Sequence, residues 1–312
     1  MLVAGAAGFF GRAIVRALTL DGFRVLATDR IDESDFYLRA GTTEELVDYV
    51  RRDLQSESLD DLVEPTAGVV YAAALTPRDE REDDTANRLL QVNLQGFLTM
   101  LAGVRRSESC RRIVFISSAG VYDQSAEAIL SEDDADGGTS LYGAAKLAGE
   151  IVGRRFAELF ELEFCGVRPT SLIGPGEVER SSRPRVTAFL QLVRAALAGQ
   201  EVRLVAPESR ADWLAVDDAA EAVSLLMRTP VLNGQSFNVS SGNPLHLREV
   251  AAAVQRVGGL RLVDSGRPIG ADADRAATIS NARLTALGWA PRRSLDDVVR
   301  EVIEEHRWEL SP

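Results

Sequence analysis

The chain alternates between short unbroken apolar runs and longer stretches in which apolar side chains recur at helical intervals. Residues 2–4 form a short apolar run, a glycine-rich turn occupies 5–11, and 12–18 take up helical spacing. Runs at 23–28, 68–74 and 112–116 read as strands, and so does 163–168, closed by Pro169. Residues 31–50 are polar and mixed, and 51–54 look like a short strand end. Helical spacing marks 85–104, 141–159, 186–198, 217–227, 247–257 and 294–308, with strands expected at 201–205 and 236–239. Gly174-Pro175-Gly176 breaks the order, and the polar residues 177–184 read as a loop. Strand alternating with helix through the first half predicts a parallel sheet covered on both faces. The second half has no glycine loop of its own, so it is expected to be a substrate lobe rather than a second nucleotide domain.

Composition narrows the classes. With 312 residues, 46% apolar and 26% charged, the chain can bury a core without disulfides. Cys110 and Cys165 lack a partner pattern and read as reduced. A net charge of −12 argues against nucleic acid and anionic membrane surfaces as partners. No apolar run approaches the ~20 residues a membrane span needs. The chain opens directly on strand and glycine loop, so a cytoplasmic location is expected. His246 and His306 stand outside any Cys/His cluster, so no metal site is expected.

Several spacings carry chemistry. Gly5, Gly8 and Gly11 lie between strand and helix, the context of a loop that cradles phosphates at a helix N-terminus. The same glycines also suit a plain structural turn. Asp29, at the end of the second strand, could hold both hydroxyls of an adenosine ribose, which favours NAD. The neighbouring Arg30 could instead pair with a 2′-phosphate, and Asp29 could be a simple turn residue. Ala72, Ala73 and Ala74 end a strand in small side chains against which a flat ring can lie. Asn93 interrupts an apolar helix with a polar group. Ser118 closes the strand at 112–116. Tyr142 and Lys146 sit at i and i+4 on one helix, where an ammonium group favours the phenolate. Such a phenol could exchange a proton with a hydroxyl while hydride moves between carbon and nicotinamide.

In combination these residues resemble the extended short-chain dehydrogenase/reductases, the NAD-dependent epimerase/dehydratase family. The resemblance runs from the loop to near residue 290. It rests on Gly-Ala-Ala-Gly-Phe-Phe-Gly (5–11), Ser-Ser-Ala-Gly-Val-Tyr (117–122), Tyr-Gly-Ala-Ala-Lys (142–146), Arg-Pro-Thr-Ser-Leu-Ile-Gly-Pro-Gly (168–176), Trp-Leu-Ala-Val-Asp-Asp-Ala-Ala (213–220) and Leu-Gly-Trp-Ala-Pro (287–291). It implies an α/β fold, a Rossmann-like doubly wound parallel sheet with a smaller C-terminal substrate-binding lobe. Residues 1–170 would hold NAD, with 201–205, 236–239 and 217–227 returning to that half, and 171–312 would be mostly substrate lobe. Gly5, Gly8, Phe9, Phe10 and Gly11 would hold the pyrophosphate, Asp29 and Arg30 the ribose, and Asp53 and Leu54 the adenine. Ala72, Ala73 and Ala74 would line the cofactor cleft, with Asn93 close to it. Lys146 would contact the nicotinamide ribose, and Pro169 the nicotinamide amide. Ser118, Tyr142 and Lys146 would be the catalytic set. Thr76, Ser118, Tyr142, Thr170 and Arg210 would meet a carbohydrate substrate, Arg210 through a phosphate. Family members are commonly dimers through the helices carrying Asn93 and Tyr142, so a homodimer is expected.

Departures from the family pattern bear on the substrate. Ala119-Gly120 stand where a dehydratase of the family usually has Asp-Glu, which argues against sugar dehydration. Thr170-Ser171 and the run 206–209 replace residues that usually recognise a nucleotide diphosphate, leaving room for a smaller sugar or sugar acid. The expected activity is an NAD-dependent oxidoreductase or epimerase acting on a hydroxyl of a sugar, sugar acid or sugar nucleotide. The alternative is a non-catalytic NAD-binding sensor or regulator of the same fold.

Overall fold

Seven short strands make the central sheet. They are β1 (Leu2–Ala4), β2 (Val25–Asp29), β3 (Val47–Arg51), β4 (Gly68–Tyr71), β5 (Arg112–Ile116), β6 (Glu163–Pro169) and β7 (Ser236–Val239). The computed structural model describes residues 1–40, 44–76, 82–125, 128–179, 185–270, 275 and 277–309. The strands run parallel in the order β7-β6-β5-β4-β1-β2-β3. Val3 of β1 faces Ala27 on one side and Val70 on the other. Helices cover both faces, which is why β1, β4 and β5 read as apolar runs rather than alternating ones. The chain leaves β1 towards β2 and β3, then returns to β4 on the opposite side. That reversal opens a crevice at the carboxyl ends of β1 and β4, where ligands of such sheets sit.

The main helices are α1 (Phe9–Leu20), α2 (Glu82–Leu90), α3 (Gly96–Arg106), α4 (Leu141–Phe160), α5 (Ala188–Leu197), α6 (Val216–Arg228), α7 (Leu247–Gly258) and α8 (Leu295–Glu309). On one face of the sheet Ile14 and Leu18 of α1 and Val223 and Leu226 of α6 share a core with Val3, Val70 and Val167. On the other, Phe97, Met100 and Leu101 of α3 pack with Tyr71 and Phe115. Each such buried side chain contributes about 1.5–3 kcal/mol.

The stretch 85–104, which reads as one helix, is two helices joined by a π turn at Gln91–Gln95. Polar groups inserted from below account for it. The Tyr71 hydroxyl donates to the Val92 carbonyl at 2.9 Å, and Asn93 is fully buried.

A second core, with Phe189, Val193, Val250, Val254, Val299 and Val302, is built by α5, α7 and α8. These helices pack by a three-stranded sheet of Arg261–Leu262, Glu201–Val205 and Arg267–Gly270. The strand at 201–205 therefore does not return to the first sheet, contrary to the expectation. It follows α5, and its Val202 is buried in the second core. The other two segments expected to return, β7 and α6, do lie on the central sheet. Beyond β6, Ser171–Ile173 pairs in parallel with Trp213–Ala215 and carries the chain into the second lobe. The expected loop at 177–184 is described through 179; residues 180–184 lie outside the described residues.

Candidate active site

The glycine turn departs from the carboxyl end of β1. Gly5 has φ +82°, and a Cβ there would lie 2.4 Å from the Ala73 nitrogen. A Cβ on Gly11 would lie 2.1 Å from the Gly5 carbonyl oxygen. Both positions admit only glycine, because the loop lies directly against the end of β4 and the first turn of α1. The turn is held by Gly5 and Ala6 donating to Thr28 O at 2.9 and 3.1 Å. Gly8 is the N-cap of α1 and supplies no side-chain cap. Among the described residues no side chain caps the positive end of that helix, which opens on the cavity.

This cavity, about 1070 Å³, runs along the carboxyl ends of the strands. Its described wall brings together Gly5, Gly8, Phe9, Phe10, Gly11, Asp29, Arg30, Asp53, Leu54, Ala72, Ala73, Ala74, Thr76, Ser118, Tyr142, Lys146, Pro169 and Thr170. The Asp29 carboxylate accepts from Ala7 N at 3.1 Å and Arg30 N at 2.7 Å, so it braces the glycine turn while facing the cavity. Asp53 accepts from Gln55 N at 3.0 Å, which shapes the turn that presents Leu54.

Two expected residues are not on the wall. Asn93 is buried beneath it. Its side chain accepts from Leu75 N at 3.2 Å and donates to Leu75 O at 3.0 Å and Leu89 O at 3.1 Å. It thereby ties the segment between Ala74 and Thr76 to the π turn, a supporting task rather than a contact. Arg210 lies in the strand Arg210–Ala211, paired with Leu245–His246. Its backbone carbonyl accepts from Arg275 N at 2.8 Å, and it is Arg275 that stands on the wall, donating from Nη1 to Ser171 Oγ at 3.0 Å. The family resemblance around Trp213 pointed to Arg210, whereas the fold brings Arg275, sixty-five positions later, to the wall. Arg88 and Arg185 also stand on the wall, and no local pattern marked them.

The Ser/Tyr/Lys set is assembled from β5 and α4. Ser118 caps the short helical turn Ala119–Val121, its Oγ accepting from Gly120 N at 3.0 Å. Ser140 caps α4 by accepting from Gly143 N at 3.1 Å, which starts the helix just before Tyr142. Lys146, one turn on, is fully buried; Nζ donates to Ile116 O at 2.9 Å and lies 5.7 Å from the centre of the Tyr142 ring. Burial pulls the ammonium down from 10.5 to about 7, and the negative charge of Glu150 opposes that. Glu150 is itself gripped in two-pronged fashion by Arg168, at 2.9 and 2.6 Å. Arg168 also donates to the Tyr122 hydroxyl at 2.6 Å and Glu132 O at 2.7 Å. The network holds α4 against β6 and so fixes Lys146 relative to Pro169 and Thr170. Thr170 donates to Asp212, at 2.8 Å. Ser117, beside Ser118, lines the cavity with a buried hydroxyl that has no protein partner among the described residues, as a ligand-facing group would.

Comparison with known proteins assigns the family. The model of the NAD dependent epimerase/dehydratase family matches residues 1–240. The chain belongs to this family. It is similar to the UDP-glucose 4-epimerase of Mycolicibacterium smegmatis, 28% identical over 311 residues, covering 98% of each chain. It is also similar to a dTDP-glucose 4,6-dehydratase of Streptomyces niveus, 28% identical over 322 residues, covering 98% of this chain and 92% of that one. Among solved structures it is similar to MoeE5 in complex with UDP-glucuronic acid and NAD, with a TM-score of 0.83, 26% identity and 99% coverage of both chains. The protein is thus an NAD-dependent enzyme of the extended short-chain dehydrogenase/reductase type. The expectation of a sugar-directed epimerase or oxidoreductase fits these relatives, and the non-catalytic alternative does not. The uncapped α1 terminus, the glycines of the turn and the orphaned Ser117 hydroxyl are what a bound dinucleotide requires. Among the described residues no helix is long and apolar enough to cross a membrane, and no cluster of three metal-ligating side chains occurs.

Proposed function

We propose that this protein is a UDP-sugar epimerase that works on a sugar hydroxyl, with Tyr142 as the base. The observation that carries the reading is one cavity shared by the glycine turn, the Tyr142–Lys146 pair and three arginines, Arg88, Arg185 and Arg275. NAD supplies the hydride acceptor when bound. Gly5, Gly8, Phe9, Phe10 and Gly11 hold its pyrophosphate, Asp29 and Arg30 its ribose, and Asp53 and Leu54 its adenine. Lys146 and Pro169 hold the nicotinamide end. Tyr142 takes the hydroxyl proton of the substrate and returns it, Ser118 hydrogen-bonds the same oxygen, and the Lys146 ammonium lowers the cost of the phenolate. Thr76 and Thr170 contact the sugar.

Arginine forks suit a diphosphate. Arg275 takes the part that the sequence offered to Arg210, and Arg185 joins it from the second lobe. The named relatives that act on or bind UDP-sugars favour a nucleotide substrate over a free sugar. The carboxylates on the described wall are Asp29, Asp53 and Glu179, and Ala119-Gly120 follow Ser118, so a sugar dehydration lacks its acid. In this reading 1–170, with α6 and β7, form the dinucleotide half, and most of 171–312 forms the substrate lobe. Exposed Leu90, Ile151, Val152 and Leu159 on α2 and α4 support a homodimer across those helices. Buried free thiols at Cys110 and Cys165 suit the reducing cytoplasm.

The test is incubation with UDP-glucose and with UDP-glucuronic acid, followed by chromatographic separation of the C4 epimers. Epimer formation without lasting absorbance at about 340 nm is expected. Stoichiometric NADH release would make the enzyme a dehydrogenase, and turnover of free sugars alone would remove the nucleotide from the proposal.

A further inference from the structure

Arg12 follows Gly11 in the first turn of α1 and is only 6% exposed. Arg12 Nη2 donates to the backbone carbonyl of Gly176. On the other side of the same residue, Gly176 N donates to the Glu305 carboxylate of α8 at 2.8 Å. Gly176 has φ +86°, a left-handed conformation that favours glycine, and a Cβ there would lie 2.7 Å from Arg12 Nη2, so the guanidinium would have to shift. The next residue, Glu177, is 2% exposed and accepts from Thr187 N at 2.8 Å and Thr187 Oγ1 at 2.7 Å. Thr187 in turn caps α5 through Leu190 N at 3.2 Å. Val178, Glu179, Val186 and Thr187 stand on the cavity wall, whereas Arg12, Gly176 and Glu177 do not.

An unbroken path of direct bonds and adjacent residues thus leads from the helix whose first turn meets the dinucleotide to the wall contributed by the second lobe. We infer that Arg12 is a positioning residue that couples the two ligands of this site: fixing the first turn of α1 fixes Gly176, and with it the wall at 178–179 and 186–187. The inference rests on the dinucleotide and sugar-nucleotide sites proposed above. It extends them by naming a residue that touches neither ligand yet sets the affinity for one in response to the other. Coupling of this kind is reciprocal.

Arg12→Lys tests it, since the charge stays while the planar fork is lost. The expected result is an NAD affinity within about twofold of the parent and a KM for UDP-glucose raised about tenfold with little change in kcat. In calorimetry the parent binds UDP about fivefold more tightly with NAD present, and the variant loses that response. In the parent alone, NAD slows backbone hydrogen exchange at 174–179 and 185–190. An unchanged KM and UDP response in the variant overturns the inference, as does exchange at 174–179 that ignores NAD, a result that needs no variant to fold. A fall in NAD affinity in step with the rise in KM makes Arg12 a general support of the site and also overturns it. A parent protein that binds neither NAD nor UDP refutes the site itself and the coupling with it, whereas binding of both without coupling refutes the coupling alone.

Discussion

Lys146→Met should make the protein more stable in mild acid and less active at every pH. Burial pulls the Lys146 ammonium from 10.5 down to about 7 in the folded chain, with Glu150 opposing. Between those two values the unfolded chain carries a proton that the folded chain has released. Folded stability therefore rises with pH across that window, and the full cost of the buried charge stands below about pH 7. At about 1.4 kcal/mol per pH unit the gap is on the order of 5 kcal/mol, an upper bound. Methionine has nearly the same length and carries no charge. It forfeits the bond from Nζ to Ile116 O, 2.9 Å long, which sets about 1.5–3 kcal/mol against the gain. Glu150 stays paired with Arg168, so no carboxylate is orphaned. The variant should gain about 2 kcal/mol at about pH 6, and by about pH 9 the gain should have vanished. Urea unfolding of protein freed of dinucleotide, at those two pH values, measures both differences. A variant less stable than the parent at the lower pH, or a difference that does not change with pH, would refute the reasoning.

Tyr142→Phe should leave NAD affinity nearly unchanged and cut turnover about a hundredfold or more, because only the proton-transfer group is lost. Steady-state rates beside an NAD titration check this, and a fully active variant removes Tyr142 from the mechanism. Asp29→Ala should narrow the preference for NAD over NADP by about tenfold in relative Kd, since a carboxylate repels a 2′-phosphate. It should also loosen the turn that Asp29 braces through Ala7 N and Arg30 N. An unaltered cofactor preference would transfer that selectivity to Arg30 or another group.

How much of this protein could be read along the chain depends on how far apart the interacting residues lie. The parallel sheet was legible because strands buried on both faces need continuous apolar runs, as 68–71 and 112–116 have. Tyr142 and Lys146 were legible because one helical turn brings i and i+4 together. The strand at 201–205 was assigned to the wrong sheet because its alternating apolar residues say that one face is covered and not by what. Only contact with the α5 and α7 core decides that.

What the order of residues determined by itself, then, was local: the glycine turn after β1, the helix bearing Tyr142 and Lys146, and the class of fold they imply. The tertiary structure alone decided which distant groups meet. It put Arg275 rather than Arg210 on the cavity wall, turned Asn93 into the tie that holds Leu75, and set Arg12 against Gly176. The physical reason is that covalent spacing dictates backbone conformation over one or two turns. A guanidinium or amide whose partner is a backbone group many residues away finds it only after the sheet and both cores have closed.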